Sequence, residues 1–347
     1  MKILRIKALP IILLPLAVSA QSIEGTRYML PKNGMRFTVK VEKTVYASGR
    51  LCQYAERFLK ERVPQQGSVT YRLLGLEMDE TVMPDTAKQF TLITDKKHSI
   101  DKVTCSPDGQ LLAINADAMT YSVPKREFTP AKKPAPLNPN DFMTEDILSA
   151  GSTAKMAELT AKEIYDIRDS RNSLSRGEAD NLPKDGAQLA LMYENMNRQE
   201  NALSQLFYGT TVKDTAWTQI DFVPMKEGTT TLFRFSKHFG LVDADDLSGE
   251  PYSVSVTNEH TAATPQQAED PKKEDKNDIG FRVNLPSKIK VVVSHDGQTD
   301  ASYEITAAQF GNIQSLGGEL FGKKQSSQIV LDPMTGSVKS IKAIEIK

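Results

Sequence analysis

Few residues in this chain have the type and spacing that catalysis needs, and a Ser-x-x-Lys motif is the most specific pattern among them. Ser152-Thr-Ala-Lys155 matches the nucleophile signature of penicillin-binding enzymes, whose site also needs a Ser-x-Asn and a Lys-Thr-Gly motif. Ser170-Arg-Asn172 lies on the same predicted helix, about 27 Å from Ser152 at the α-helical rise. The sequence contains no Lys-Thr-Gly. We therefore expect Ser152 and Lys155 to lie on a helix surface.

The metal-binding side chains are scattered along the sequence. The histidines are His98, His238, His260 and His295. None lies within four residues of another, so no His-x-x-x-His pair can share a helix face. The sequence therefore predicts no histidine-based metal site and no cofactor.

One cluster of carboxylates could attract calcium, which prefers several oxygen ligands. It lies in the segment DADDLSGE, and its members are Asp243, Asp245, Asp246 and Glu250. An EF-hand loop has an oxygen ligand at its fifth position and glycine at its sixth, where this segment has Leu247 and Ser248. Two interpretations stay open here, a polar turn and an irregular calcium site.

The two cysteines, Cys52 and Cys105, raise the question of nucleophile, disulfide or buried thiol. The sequence shows neither a Cys-x-x-Cys motif nor a Cys-His pattern, which disfavours catalysis. A disulfide between them would close a loop of about 54 residues and contribute up to ~4 kcal/mol on the chain-entropy model. The alternative is two buried free thiols, because sequence does not reveal their geometry.

The first twenty residues have the pattern of a secretory signal peptide. Lys2, Arg5 and Lys7 precede an apolar run, and small residues end at Ala20. The run is shorter than the roughly 20 residues needed to span a bilayer. We expect cleavage between Ala20 and Gln21, no transmembrane segment afterwards, and a soluble protein in the periplasm or outside the cell.

Charge and composition limit the classes of partner. Removing the three basic residues of the signal segment changes the formal net charge from −1 to −4. With no basic block, the chain has no electrostatic signature of nucleic-acid binding. One tryptophan weakens a glycan-binding interpretation, although ten tyrosines keep it open. The expected partner is an envelope protein or a glycan, and the sequence does not predict the oligomeric state.

The order of patterns along the chain predicts an α+β fold. Segments such as RFTVKVEKTVY and KIKVVVS alternate apolar and polar residues as antiparallel strands do, whereas GRLCQYAERFL has helical spacing. We predict sandwich-like, mainly antiparallel β modules with a long antiparallel helical hairpin between them. The predicted units are a signal peptide (1–20), an N-terminal β-rich module with one short helix (21–123), a Pro-rich linker (124–141), the hairpin (142–208) and a C-terminal β-rich module (209–347) with a mobile loop (258–278).

The hairpin prediction depends on apolar residues at three- and four-residue steps. The first stripe is Ala157, Thr160, Ala161, Ile164, Ile167 and Leu174, and the second is Leu189, Met192, Met196, Leu203 and Leu206, interrupted by Gln199. Between the stripes, Asp185 can cap the second helix. Because several stripe members are small or polar, we expect the hairpin to pack on a β module or a partner chain, with Leu203 buried.

Two pairs of segments resemble each other within the chain. YMLPKNGMRFTVKV and FRVNLPSKIKVVV share an aromatic residue, a Leu-Pro pair and an alternating valine strand. SPDGQLLAIN and DPMTGSVKSI share a proline-containing turn that glycine closes before a strand. Two explanations of this similarity remain open. Strands and turns of β proteins commonly reuse the same residue types, or the chain contains two related β modules.

Several phrases resemble a secreted bacterial family known as a domain of unknown function, number 4831. They include YMLPK, GRLCQYAERFL, DGQLLAIN, EIYDIRDSRNSLSRGEADNLPKDG, RFSKHFGLVDADDLSGEP, AQFGNIQSLGGELF and DPMTGSVKSI. The similarity runs from about Tyr28 to the end of the chain. It implies a Gram-negative envelope or secreted setting, and it assigns no activity and no catalytic residues.

Two classes of function therefore remain. The favoured one is a non-catalytic binding or structural module of the bacterial cell envelope, with no enzymatic activity. The alternative is an extracytoplasmic hydrolase whose site residues converge only in the fold. A deep pocket that gathers carboxylates or histidines would favour the hydrolase.

Overall fold

Strands dominate the computed structural model, which describes residues 25–126, 128, 136–179, 185–266 and 277–345. The first sheet has the order β2-β1-β5 and consists of β1 (Gly25–Ala47), β2 (Ser68–Ile93) and β5 (Thr210–Phe222). The second has the order β10-β9-β8-β6-β7, with β6 (Gly228–Ser236), β7 (Gly240–Val242), β8 (Glu250–Asn258), β9 (Asp278–His295) and β10 (Gln298–Gly317). The third has the order β12-β11-β4-β3, with β3 (Val103–Cys105), β4 (Leu111–Ile114), β11 (Gln325–Leu331) and β12 (Val338–Glu345). All strand pairs within these sheets are antiparallel, which confirms the predicted mainly antiparallel β structure.

The largest apolar core lies between the first and second sheets. Alternate residues of β1, from Met35 to Val41, are buried, because successive side chains of a strand point to opposite faces. They pack with buried residues of the second sheet, among them Val254 on β8 and Val291 on β9. The β1 residues between them, such as Arg36 and Lys40, are polar, so the alternation in the sequence correctly marks the buried face.

A second core joins the ends of the long strands to the third sheet. Its buried members include Tyr28 on β1, Phe281 on β9 and Phe321. The Tyr28 hydroxyl donates to the Gly280 carbonyl at 2.9 Å and accepts from the Arg282 N–H at 2.7 Å. Burial raises the pKa of Tyr28 far above its usual value, so this tyrosine is a neutral hydrogen-bonding link between the strands.

The helices enclose a third core of their own. They are α1 (Ala55–Phe58), α2 (Glu145–Leu148), α3 (Thr153–Arg176) and α4 (Gly186–Tyr208), with short 3-10 helices at Cys52–Tyr54, Pro139–Phe142 and Gly318–Phe321. All six predicted stripe residues of α3 are buried. On α4 only the C-terminal part is buried, with Leu203 and Leu206, whereas Leu189, Met192 and Met196 are half-exposed. Leu203 is therefore buried, as predicted.

Helix ends follow the local sequence. The Ser152 side chain caps α3 by accepting the Lys155 N–H at 3.2 Å, and the Asp185 side chain caps α4 through the Ala187 N–H at 3.1 Å. At its other end α3 stops at Gly177, which has a left-handed backbone with φ of 73°. The capping role predicted for Asp185 is confirmed.

The sheets combine strands from both predicted β modules. In the first sheet β5 pairs along β1 from Met35↔Phe222 to Ala47↔Thr210, and in the third β4 pairs with β11. A pattern along the chain identifies strands but not their partners, because pairing is a long-range property. The described strands of the two predicted β modules are therefore interleaved in the sheets.

The described parts of the predicted linker and mobile loop are held by contacts. Arg126 binds Asp79 through two hydrogen bonds of 2.7 and 2.8 Å, and the Phe128 ring stacks on Trp217 at 4.5 Å. In the loop, the Gln266 N–H donates to the Gln314 side chain at 2.6 Å. Residues 267–276 of that loop lie outside the described residues.

The two pairs of similar segments make equivalent backbone contacts in the structure. The Met29 N–H on β1 donates to the Gly109 carbonyl at 2.9 Å, and the Asn284 N–H on β9 donates to the Gly336 carbonyl at 3.1 Å. Both glycines have positive φ, 84° and 68°, a conformation that glycine adopts without strain. In each half, the turn before a short strand thus binds the long strand just ahead of its Leu-Pro pair.

Candidate ligand-binding groove

A groove of about 680 Å³ opens beside the pairing of β1 with β2, where the turn between β6 and β7 meets β8. Charged residues, hydroxyl groups and aromatic rings line it. The lining residues are Glu42, Thr44, Thr70, Tyr71, Arg72, Leu73, Lys213, Phe235, Ser236, Lys237, Ser248, Glu250 and Tyr252. Five of them lie within the segment RFSKHFGLVDADDLSGEP, one of the phrases on which the family resemblance rests.

A close approach of the two sheets forms one wall of the groove. The Tyr71 N–H on β2 donates to the Lys237 carbonyl at 2.8 Å. Gly240 then faces the Tyr71 ring so closely that an added Cβ would lie 2.9 Å from Cδ1, and its φ of 80° also favours glycine. The glycine in SKHFG therefore lets the turn between β6 and β7 close against the edge of β2.

The charged side chains of β1, β2 and β5 meet because the strands are in register. Glu42 pairs with Arg72 on β2, and its Oε1 accepts from Arg72 Nη2 at 3.1 Å. The same oxygen lies 3.6 Å from Lys213 Nζ on β5. The Glu42 side chain is only 14% exposed, whereas Arg72 and Lys213 are 67% and 58% exposed. The groove thus has one shielded carboxylate and two accessible cations on this wall.

An aromatic ladder borders the groove on the other side. Tyr252 on β8 stacks on Phe233 of β6 at 4.7 Å and on His295 of β9 at 4.5 Å. Burial raises the pKa of Tyr252, and the negative charges of Asp300 and Glu250 raise it further. His295 Nδ1 lies 2.7 Å from Asp300 Oδ2. Within the described chain, no hydroxyl or thiol forms a hydrogen bond with His295.

The calcium candidates do not converge on one point. Within the described ranges, no group of three His, Cys, Asp or Glu side chains is placed to hold a metal ion, so Asp243, Asp245, Asp246 and Glu250 form no such site. The Arg234 guanidinium instead donates to the Ala244 and Gly249 carbonyls at 2.9 and 3.0 Å. The Asp246 carboxylate caps its own turn by accepting the Ser248 N–H.

The two cysteines lie on different elements and are free thiols. Cys52 begins the 3-10 helix before α1, beside the helical core, and Cys105 ends β3 in the third sheet. The structure therefore does not form the disulfide between them. Burial raises the pKa of the Cys105 thiol, which disfavours the reactive thiolate.

Of the remaining sequence candidates, Ser152 and Lys155 do not line the groove. Ser152 and Lys155 form the cap of α3, as their placement on a helix surface predicted. Ala20 and Gln21 lie outside the described residues. In the part of the chain that the structure describes, no helix has both the length and the apolar character needed to cross a membrane.

Sequence inspection did not identify the groove itself. Its cations Arg72, Lys213 and Lys237 come from three separate segments and meet only through strand register and one backbone hydrogen bond. A sequence feature that could have indicated the groove is Ser236-Lys-His-Phe-Gly240, in which glycine closes a short turn with exposed polar side chains.

Comparison with known proteins identifies a family. The family model described as Domain of unknown function (DUF4831) matches residues 24–339. No curated protein and no solved structure matches the chain.

Proposed function

We propose that this chain, which belongs to the family Domain of unknown function (DUF4831), is a non-catalytic binding protein of the bacterial cell envelope. The groove beside β2 is its ligand site. The observation that supports this function is the exposed state of Arg72 and Lys213, whose common partner Glu42 is shielded. Exposed cations beside hydroxyl groups and aromatic edges can bind a ligand without any chemical step.

We also propose how the sheets and helices of the chain are arranged and where in the cell the protein acts. The first and second sheets form a sandwich around their common core, and α3 and α4 form an antiparallel hairpin. Contacts between α3 and α4 support the hairpin, since Arg168 and Arg171 of α3 both bind Glu200 of α4. The signal pattern that ends at Ala20 supports export to the periplasm or the cell exterior.

A hydrolase is the second candidate, and one contact favours it. The 2.7 Å contact between His295 and Asp300 orients an imidazole beside Tyr252, as a general base requires. Under this alternative, His295→Ala abolishes release of soluble fragments from purified envelope material and leaves ligand capture intact. The binding function predicts no fragment release by either protein.

A steric block of the groove tests the binding function. Ser248 is exposed and lines the groove, so Ser248→Trp fills part of it without changing charge. We expect the tagged full-length variant to capture much less of its ligand from solubilised envelopes than the unmodified protein does. Captured proteins and saccharides are quantified by mass spectrometry and sugar analysis.

The matched control is Ser170→Trp on the exposed face of α3, because Ser170 does not line the groove. This variant should capture the same material as the unmodified protein. Unchanged capture by Ser248→Trp, with both variants folded by circular dichroism, would rule out the groove as the ligand site.

A further inference from the structure

We infer that the groove binds an acidic saccharide, whose anionic groups contact Arg72, Lys213 and Lys237. This inference rests on the proposed binding function and adds the chemical class of the ligand. It depends on the charges and hydroxyl groups of the groove, and on the backbone hydrogen bond that already engages Tyr71 at the edge of β2.

The accessible charge of the groove is positive. Its lining includes three cations and two carboxylates. Of the carboxylates, Glu42 is shielded beneath two of the cations, so Glu250 is the one that faces solvent. Lys237 is exposed at the tip of the turn between β6 and β7. An anion entering the groove therefore meets more accessible positive than negative charge.

Arg72 is suited to recognise a carboxylate or sulfate group. It donates to Glu42 through Nη2 alone, and the side chain is 67% exposed. The other guanidinium N–H groups can therefore form a paired contact with two oxygens of such an anion, which Lys213 reinforces as a point charge. The contacts of both cations with Glu42 restrict their motion before the ligand arrives, which lowers the entropy cost of binding.

The rest of the lining favours a saccharide over an extended peptide. Hydroxyl groups of Thr44, Thr70 and Ser248 line the groove, where they can exchange hydrogen bonds with sugar hydroxyls. A peptide would gain affinity by pairing with a free strand edge. At this edge of β2 the Tyr71 N–H already pairs with the Lys237 carbonyl.

Calorimetric titration of the full-length protein with three probes tests the inference. The probes are oligogalacturonate, a neutral malto-oligosaccharide of equal length and a poly-glutamate peptide. We expect oligogalacturonate to bind at least tenfold more tightly than the other two. Its affinity should fall with added salt, because exposed charges are screened.

Charge-neutralising variants locate the binding. Arg72→Gln and Lys213→Gln should each weaken oligogalacturonate binding about tenfold, as the loss of one charge-assisted hydrogen bond would do. Lys162→Gln, on the exposed face of α3, is the matched control and should bind as the unmodified protein does.

Three results would overturn the inference. They are no binding of oligogalacturonate, equal or tighter binding of the neutral or peptide probe, and Gln variants indistinguishable from the control. If Ser248→Trp still prevents envelope capture in any of these cases, the binding function stands and only the ligand class is wrong.

Discussion

Glu200 on α4 forms ion pairs with two arginines of α3. Its Oε1 accepts from Arg168 Nε at 2.6 Å and its Oε2 from Arg171 Nη1 at 2.5 Å. Burial alone would raise the pKa of Glu200, but the hydrogen bonds from Arg168 and Arg171 outweigh it and lower the pKa. The ionised carboxylate is therefore the form that stabilises contact between the helices.

This arrangement predicts a pH-dependent effect of Glu200→Gln. A carboxyl whose pKa is lower in the folded state stabilises the protein above its unfolded pKa of about 4.3. That contribution is lost as the pH falls through the folded value. At pH 7 we expect Glu200→Gln to lower the free energy of unfolding by roughly 1–3 kcal/mol, and by less at pH 3.

Urea unfolding at both pH values measures this difference. Glu158→Gln is the control, because Glu158 forms an exposed pair with Lys155 and should have little effect at either pH. A loss that is the same at pH 7 and pH 3 would show that the carboxylate charge is not what stabilises the helices.

Leu203 is the residue whose packing best tests the helical core. It is fully buried on α4 beside Ile164 and Phe207. Leu203→Ala should lower the free energy of unfolding by about 2–5 kcal/mol, because it leaves a cavity. The exposed Lys162→Ala should stay within about 0.5 kcal/mol of the unmodified protein. Equal denaturation midpoints for the two variants would contradict the burial of this face.

At the scale of the element, the start of α3 explains why the chain contains a Ser-x-x-Lys motif. The Ser152 hydroxyl accepts the Lys155 N–H, so the spacing reflects helix capping. Ser152→Ala should lower the free energy of unfolding by about 1 kcal/mol, and Ser152→Asp should preserve it. Thermal unfolding measures both variants.

A fluorescent penicillin distinguishes the cap from a nucleophile. We expect no covalent labelling of the unmodified protein. Labelling that disappears in Ser152→Ala would contradict the capping role.

Sequence patterns predicted the buried face of α3 and the start of α4 because their determinants are local, whereas the first half of the α4 stripe is half-exposed. The stripe from Ala157 to Leu174 and the cap at Asp185 depend on residues within a few turns of one another. The short helix around Cys52 was also expected, although its α-helical part covers only Ala55–Phe58. Lys60, which follows closely after the helix, has a positive φ of 61°.

Long-range pairing explains what the sequence did not reveal. β5 lies beside β1 although more than a hundred residues separate them, and this pairing brings Lys213 to Glu42. Alternation of apolar residues identifies the buried face of each strand but not its neighbour. The carboxylates at 243–250 are close in sequence, yet within the described residues no three of them are placed to hold one metal ion.

For the molecule as a whole, the predicted export would determine which partners the groove can meet. The basic residues, apolar run and small residues before Gln21 predict removal of the first twenty residues. Mass spectrometry of protein exported by a Gram-negative host should find Gln21 at the N-terminus. Exported protein that retains Met1 would contradict this prediction.

Site-specific photo-crosslinking in living cells tests the claim that the groove holds a ligand in the cell envelope. A photoreactive amino acid replaces Lys237 at the groove or, as the control, Lys162 on α3. We expect light to produce a covalent adduct with an envelope component at position 237, absent at position 162 and lost when Ser248→Trp is added. No adduct at position 237, or the same adduct at both positions, would contradict the claim.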